Sequence, residues 1–137
     1  MNLFVSSYDG TVTTLSLGGA GSDYTLRTVS KAQGCGSNPS WLVYEKPNRV
    51  LYCMDENMDS PLEDPSAIFT SYNIDASGTV SPQKSDNLTT TAAVSGVLFN
   101  DNKHMAIAHY FGRISVLTID ETSFKQVQVL TSSTRLS

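Results

Sequence analysis

The densest group of side chains that could do chemistry is an acidic run, DENMDSPLED, which contains Asp55, Glu56, Asp59, Glu63 and Asp64. Carboxylates this close together could supply oxygen ligands to a calcium ion. The run lacks the glycine at the sixth position and the final glutamate spacing of an EF-hand loop. We therefore interpret it as a solvated loop.

Cysteine, histidine and serine form no recognisable motif either. Cys35 and Cys53 lie in GCG and YCM, without a CxxC pair. His104 and His109 are distant from both cysteines, so the spacing does not indicate a zinc site. Because Cys53 lies in an apolar run, we expect two reduced thiols, with a disulfide between them as the alternative that the sequence leaves open. No serine lies in GxSxG and no helix follows the GGAG stretch to bind a phosphate, so the sequence predicts neither a metal nor a cofactor.

The overall composition is that of a soluble globular domain. The 137 residues are 39% hydrophobic and carry a net charge of −4. The nine basic residues are scattered singly, so the sequence predicts no nucleic-acid partner. No apolar run reaches the roughly 18 to 20 residues of a membrane span, and the N-terminus lacks a basic segment followed by an apolar core. We therefore expect a cytoplasmic protein that does not bind a membrane.

The elements that must position these side chains recur along the chain. Residues 2–17 align without a gap with the stretch that starts at His104, so that Tyr8 matches Tyr110 and Gly10 matches Gly112, an offset of 102. Each copy has a β-branched run, a Tyr-x-Gly turn and a second alternating run, which predicts a β-hairpin. Glycine suits the turn because hairpin turns usually need a residue with positive φ.

A third copy lies between these two. Trp41–Asp55 overlays Gly96–Tyr110 at an offset of 55, and Ile68–Asp75 overlays Arg113–Asp120 at an offset of 45. We attribute the difference to about ten extra residues, roughly NMDSPLEDPS, in a loop of the middle copy.

The apolar runs predict eleven strands and no helix. No segment has sustained helical periodicity. Pro82 suits an edge strand, because it cannot donate to a β-ladder. The predicted strands cover residues 3–7, 11–17, 24–30, 41–45, 49–55, 68–75, 79–84, 95–99, 103–109, 113–120 and 124–130.

Four strands in each unit of about 45 to 55 residues is the spacing of β-propeller blades. One such sheet cannot bury both of its faces, so neighbouring sheets must stack around an axis. We predict an all-β fold, a partial β-propeller of about two and three-quarter four-stranded blades. The blades would be residues 1–37, lacking the inner strand, then 38–92, then 93–137, with WLVY and GVLF as inner strands covered on both sides.

Four motifs together resemble a known family. NPSWL at 38–42, RVLYCMDE at 49–56, YNIDASGTVSP at 72–82 and MAIAHYFGRISVLTID at 105–120 are similar, in this order, to the N-terminal part of the lactonase-type seven-bladed β-propeller family. That family includes cycloisomerase-type 6-phosphogluconolactonases and the fungal 3-carboxy-cis,cis-muconate lactonising enzyme. The resemblance implies a seven-bladed fold, of which this chain would supply the first part.

The resemblance also implies a small-molecule lactone as substrate. The reaction would be hydrolysis of a sugar lactone such as 6-phosphogluconolactone, or cycloisomerisation of a carboxymuconate, without a metal or nucleotide cofactor. Ring opening needs a base to activate water and a donor for the developing oxyanion, which are roles for histidine, glutamate and arginine. The family's catalytic residues match blades beyond this chain, so we expect the chain to be inactive alone.

Within the chain, the candidates for this chemistry are Glu56, His109 and Arg113. For each we favour a structural interpretation: a solvated loop carboxylate for Glu56, a strand-end histidine with satisfied hydrogen bonds for His109, and a surface position for Arg113. His109 falls opposite Ser7 and Met54 in the other copies, so the alignment predicts no shared role.

Two other interpretations stay open. The propeller could be a non-catalytic binding or interaction module, since fold alone does not define function. The repeats could also form a β-sandwich or swap between chains. Apolar blade faces left exposed at both ends predict self-association.

Asn87-Leu88-Thr89 matches an N-glycosylation acceptor, which matters only in a secreted protein.

Overall fold

A computed structural model describes residues 1–58, 67–121 and 123–132 of the chain. In these ranges the regular structure consists of β-strands, and no helix crosses 41–44 or 96–99. The strands are β1 (Asn2–Ser7), β2 (Thr11–Gly18), β3 (Thr25–Ala32), β4 (Pro39–Glu45), β5 (Val50–Asp55), β6 (Ile68–Ile74), β7 (Val80–Asn87), β8 (Ala93–Phe99), β9 (His104–His109), β10 (Arg113–Ile119) and β11 (Phe124–Thr131).

The strands form three antiparallel sheets in which neighbours in sequence are neighbours in space. Sheet 1 has the order β1-β2-β3, sheet 2 the order β4-β5-β6-β7, and sheet 3 the order β8-β9-β10-β11. β4 packs against β8 and β1 against β4, while β3 packs against β7. This arrangement confirms the predicted partial β-propeller, with a first sheet one strand short of the others.

The predicted strand positions agree with the observed ones. The largest difference is at β7, which continues to Asn87 instead of ending at residue 84. β7 pairs only with β6, and its ladder shifts register opposite the Ser71/Tyr72 step, where Pro82 faces Tyr72. Pro82 therefore lies on an edge strand, as its missing N–H predicts. Gly10 and Gly112 have φ of 80° and 66°, the left-handed conformation expected for both hairpin turns.

Burial is greatest on the second strand of the middle sheet. Along β5 the side chains of Leu51, Tyr52, Cys53 and Met54 are all at most 4% exposed, because sheet 2 lies between sheets 1 and 3. The prediction that the inner strand WLVY is covered on both sides is wrong. Trp41 and Tyr44 on β4 remain 42% and 41% exposed, since the inner strand lies at the free edge of its sheet.

Aromatic side chains fill the interface between sheets 2 and 3. Phe69 and Phe124 meet edge to face with their ring centroids 4.6 Å apart, and Tyr52 stacks on Phe69 at 5.7 Å. Met105 and Ile107 of β9 complete this core from the facing sheet. The interface between sheets 1 and 2 is built around Val12, Leu51, Tyr72, Ile74 and Val80.

The structure corrects the alignment of the middle copy by one residue. In the ladders, Pro39 pairs with Asp55 as Ala93 pairs with His109, and Glu45 pairs with Val50 as Phe99 pairs with His104. The structural offset is therefore 54, not 55, while the offset of 45 after the insertion is confirmed. The overlay at 55 matched apolar letters, but a shift of one residue exchanges the two faces of a strand. The insertion is then nine residues, and its positions 59–66 lie outside the described residues.

The prediction of two reduced thiols is also wrong in this structure. Cys35 and Cys53 form a disulfide, with their Cα atoms 5.9 Å apart. Both side chains are completely buried in the core between sheets 1 and 2. Cys35 comes from the segment after β3, which the sequence treats as an irregular loop, so its approach to β5 is a tertiary feature that spacing alone could not supply.

We expect Phe69→Ala to lower the free energy of unfolding by about 3 to 5 kcal/mol, because it removes a completely buried ring and its edge-to-face partner. Val97→Ala should change it by less than about 0.5 kcal/mol, since Val97 is 60% exposed. Urea unfolding followed by circular dichroism would measure both. Equal losses for the two variants would contradict the stacking of sheet 3 on sheet 2.

Candidate functional site

One end of the three sheets collects the connections that could bind a ligand. The β1–β2 turn, the start of the β5–β6 loop and the β9–β10 turn all lie at this end, together with the segments that lead into β4 and β8. We call this surface the end face. Irregular segments presented by a rigid sheet scaffold are where propellers and other folds usually place function.

Backbone hydrogen bonds at the end face hold segments within sheets 2 and 3 and also join these two sheets. The Glu56 N–H donates to the Asn38 carbonyl (2.9 Å), and the Tyr110 N–H donates to the Ala92 carbonyl (3.0 Å). These two bonds are equivalent under the offset of 54. Between them, the Ala92 N–H donates to the Glu56 carbonyl at 2.6 Å. The backbone N–H and the backbone carbonyl of Glu56 are thus both held by hydrogen bonds, to Asn38 and to Ala92.

Tyr8, Glu56 and Tyr110 occupy the same position in the three repeats, and we call them the rim cluster. The Tyr8 hydroxyl donates to Glu56 Oε2 at 2.8 Å, which joins sheet 1 to sheet 2. Glu56 is only 7% exposed, whereas Tyr8 and Tyr110 are 65% and 66% exposed. The hydrogen bond to Glu56, and then the negative charge of Glu56, raise the pKa of Tyr8 above its usual range. The cluster is a fixed carboxylate flanked by accessible phenol rings.

The residues that end β1, β5 and β9 hold an equivalent position and form hydrogen bonds to nearby irregular segments. Asp55 ends β5, and its carboxylate accepts the N–H groups of Asn38 (2.9 Å) and Asn57 (3.2 Å). Burial raises the pKa of Asp55, against these backbone hydrogen bonds. Ser7 holds the equivalent position in β1, and its hydroxyl donates to Asp9.

The solvated-loop interpretation of the acidic run is therefore wrong for its first two members. Asp55 is 1% exposed and Glu56 is 7% exposed. Asp55 ends the buried strand β5, and Glu56 follows it. Backbone N–H groups donate to the Asp55 carboxylate, and the Tyr8 hydroxyl donates to that of Glu56. Asp59, Glu63 and Asp64 lie outside the described residues.

His109 ends β9 and is buried between sheets 2 and 3. Its Nδ1 lies 2.8 Å from the Thr91 carbonyl oxygen, and its Nε2 lies 2.9 Å from Ser115 Oγ. A carbonyl can only accept, so Nδ1 carries the hydrogen and Nε2 accepts from the Ser115 hydroxyl. Burial lowers the pKa of His109, and the charge of Arg113 lowers it further. The ring is neutral with both nitrogens engaged, in agreement with the structural interpretation.

Arg113 begins β10 directly opposite His109 in the ladder. It is half-buried beside an open cavity of about 430 Å³, whose other walls include Ala108, Ile114 and Leu130. The structure thus brings His109 and Arg113 together but not Glu56, whose partners are Tyr8, Asn38 and Ala92.

A second cavity, of about 330 Å³, lies at the opposite end of sheets 2 and 3. Glu45 is 5% exposed there and accepts hydrogen bonds from Asn102 (3.1 Å), Tyr52 (3.3 Å) and Asn48. These donors are neutral and engage both carboxylate oxygens, so we interpret Glu45 as a structural link between the turns at this end.

Sequence reasoning missed Tyr8 and Tyr110 as site residues, although it noticed that both precede a turn glycine. With the offset of 55, Glu56 falls opposite Phe111; with 54 it falls opposite Tyr110. The correct register was the signal that would have grouped the rim cluster.

Among the described residues, no set of three His, Cys, Asp or Glu side chains could hold a metal ion. Within the same ranges no helix could cross a bilayer.

Stacked antiparallel sheets with inner strands in contact define the class as a β-propeller, present here in part. The chain belongs to the family described as Lactonase, 7-bladed beta-propeller, which it matches over residues 2–135. No curated protein matches it in sequence.

Solved structures agree with this assignment. A provisionally assigned 6-phosphogluconolactonase from Bacteroides fragilis is 10% identical, with a TM-score of 0.70 over 93% of this chain and 35% of that one. A protein from Lactobacillus plantarum is 17% identical, with a TM-score of 0.71 over 98% and 40%. The periplasmic gluconolactonase of Pseudomonas aeruginosa is 16% identical, with a TM-score of 0.69 over 90% and 34%. The chain spans between a third and two-fifths of these structures, and the likeness establishes the fold.

Because the pKa of His109 is lowered in the folded protein, the unfolded chain takes up a proton at higher pH than the folded one. Folding stability should therefore fall as the pH drops below about 6.5, the ordinary histidine value. We expect His109→Gln to reduce the difference in melting temperature between pH 7.5 and pH 5.5, since the amide can replace both hydrogen bonds without titrating. A difference of wild-type size in this variant would contradict the neutral, buried ring.

Proposed function

We propose that this chain forms part of a lactone-binding propeller and that its rim cluster contacts the hydroxyl groups of a sugar lactone. Membership of the lactonase family supports the substrate class. Two similar structures are described as a gluconolactonase and a provisional 6-phosphogluconolactonase, which supports a sugar lactone in preference to a carboxymuconate. The observation that carries the proposal is the buried Glu56 carboxylate held by the Tyr8 hydroxyl at the end face.

The chemistry of the rim cluster suits a polyol. A carboxylate oxygen accepts strong hydrogen bonds from sugar hydroxyls because the acceptor is charged. Tyr110 and Tyr8 expose about two-thirds of their surface, so their rings can cover the apolar C–H face of a sugar. The Glu56 backbone is already held by hydrogen bonds to Asn38 and Ala92, so binding a ligand would not have to order it.

We also propose that the chain alone does not catalyse ring opening. Hydrolysis needs a base for water and a donor that stabilises the oxyanion. His109 is poorly placed to act as the base, because its ring is 5% exposed and the hydroxyl that donates to its Nε2 belongs to Ser115, which is completely buried. Arg113 lies beside His109 and not beside Glu56, so the described residues do not assemble the two roles around one point. The same separation argues against cycloisomerisation by the isolated chain.

A non-catalytic interaction module is the second candidate, and the exposed faces of the outer sheets favour it. On sheet 3, Val97, Phe99 and Ile114 are 60%, 43% and 45% exposed. On sheet 1, Val5 and Leu26 are 45% and 57% exposed. Sheet 3 of one copy could stack on sheet 1 of another as sheets 2 and 3 stack within the chain. Such a contact is heterologous and leads to open assemblies unless it closes.

Proton release during incubation with 6-phosphogluconolactone, and absorbance change with 3-carboxy-cis,cis-muconate, would test catalysis. We expect the rates to equal those of buffer. Saturable hydrolysis by the purified chain would overturn the proposed inactivity, and loss of that activity in Glu56→Gln would then assign it to the rim cluster.

Binding can be measured separately by titrating the chain with glucono-1,5-lactone and following the Tyr8 and Tyr110 resonances. We expect Glu56→Gln to weaken binding about tenfold, as for loss of a hydrogen bond to a charged group. Asp9→Asn, which changes an exposed carboxylate on the neighbouring turn, is the matched control and should bind as the wild type does. Unshifted tyrosine resonances at saturating lactone would exclude this site.

If the outer faces self-associate, light scattering should give a mass that rises with concentration. Val97→Lys or Ile114→Lys should return the mass to that of one chain, because a buried lysine opposes stacking. Tyr24→Lys changes a residue that is 64% exposed in the β2–β3 connection, and it should leave the association unchanged. A wild-type mass of one chain at every concentration would exclude this interaction module.

A further inference from the structure

The disulfide between Cys35 and Cys53 ties the segment before β4 to the centre of sheet 2. This segment, residues 33–38, is held at several further points. The Thr70 hydroxyl donates to the Gly34 carbonyl at 2.7 Å, and the Cys35 N–H donates to the Gly10 carbonyl at 3.4 Å. Segment 33–38 therefore joins the β1–β2 turn of sheet 1 to sheet 2.

Segment 33–38 also positions the carboxylate of the rim cluster. Three residues after Cys35, the Asn38 carbonyl accepts the Glu56 N–H, and the Asn38 N–H donates to Asp55 Oδ1. Cys53 lies two residues before Asp55 on β5. The disulfide thus joins the two short segments, 35–38 and 53–56, whose backbone hydrogen bonds orient Glu56.

The surroundings of the two sulfur atoms favour the bonded form. Both cysteines are completely buried in the core of Val12, Leu51 and Tyr72. Their Cα separation of 5.9 Å is inside the range of about 4.4 to 6.8 Å that disulfides require, so bonding needs no movement of the backbone. No metal-ligand group among the described residues would use the thiols instead.

We propose that Cys35 and Cys53 are oxidised to this disulfide in the working protein and that the chain therefore matures in an oxidising compartment. Each thiol loses one hydrogen, and the two electrons pass to a disulfide-containing oxidant such as a thiol oxidoreductase or glutathione disulfide. A buried structural disulfide of this kind is rare in the cytosol. The proposal differs from the cytoplasmic location expected from the sequence, an expectation that reduced thiols would fit and a buried disulfide does not.

A second feature points to the same compartment. Asn87-Leu88-Thr89 is an N-glycosylation acceptor, and Asn87 is the exposed last residue of β7. Asn87 pairs with Ile68 at the outer edge of sheet 2, so a glycan there would lie on an exposed edge at the end face. An oxidising secretory compartment could modify this position without disturbing the stack of sheets.

The first test counts thiols. The chain is produced in the bacterial cytosol and, in parallel, exported to the periplasm, and each product is denatured and treated with a thiol reagent. We expect no reactive thiol in the periplasmic product and a mass lower by two hydrogens than after reduction. Two reactive thiols in the periplasmic product would overturn the proposal.

The second test asks what the bond does. Reductant should lower the melting temperature of the wild type by about 10 °C, as expected for a cross-link spanning 18 residues in a domain of this size. Hydrogen exchange at the Asn38 and Glu56 amides should become faster, while exchange in the β9–β10 ladder should not. The Cys35→Ser/Cys53→Ser variant is the control and should not respond to reductant. An unchanged wild-type melting temperature and exchange pattern under reductant would contradict a structural role, even if the double variant failed to fold.

Discussion

The structure depends on the burial of both faces of sheet 2. A sheet of four short strands is stable only when other layers cover its apolar surfaces, and here sheets 1 and 3 cover them from opposite sides. The consequence is visible on β5, where consecutive side chains are buried without alternation. The contacts at the end face that cross between sheets, such as the Tyr8–Glu56 hydrogen bond and the Ala92–Glu56 backbone hydrogen bond, depend on this stacking.

Most of the fold could be predicted because its signals are local. Strands, turns and the missing strand of sheet 1 follow from apolar runs and Tyr-x-Gly turns that recur along the chain. Antiparallel meanders join neighbours in sequence, so no long-range pairing had to be guessed. What periodicity could not determine was the exact register, since β4 and β8 each shift register against their partner near the first residues of the strand. The resulting alignment error of one position concealed the equivalence of Tyr8, Glu56 and Tyr110.

The candidate site was predicted less well because its features are tertiary. An acidic run looks solvated in a sequence, yet Asp55 and Glu56 are covered once loops from neighbouring repeats close over them. The disulfide joins an irregular segment to a strand, and nothing in the spacing of the cysteines indicates their approach. His109 was better understood, since a histidine at the end of an apolar strand usually satisfies its hydrogen bonds locally. The strands and turns can thus be predicted from the sequence of a single repeat. The candidate site depends on contacts between two repeats, which the sequence of one repeat does not show.

Ser7, Asp55 and His109 end β1, β5 and β9 and hold one equivalent position with different chemistry. Asp55 accepts N–H groups, His109 presents its Nδ1 hydrogen to a carbonyl, and Ser7 supports its own turn. Each of these side chains forms its hydrogen bond with a loop or turn that adjoins a strand of its own sheet. The blades of this protein are therefore not interchangeable. A chimaera that receives a strand pair without its matching loop would contain a buried carboxylate, or another buried acceptor, that has lost its hydrogen-bond donor.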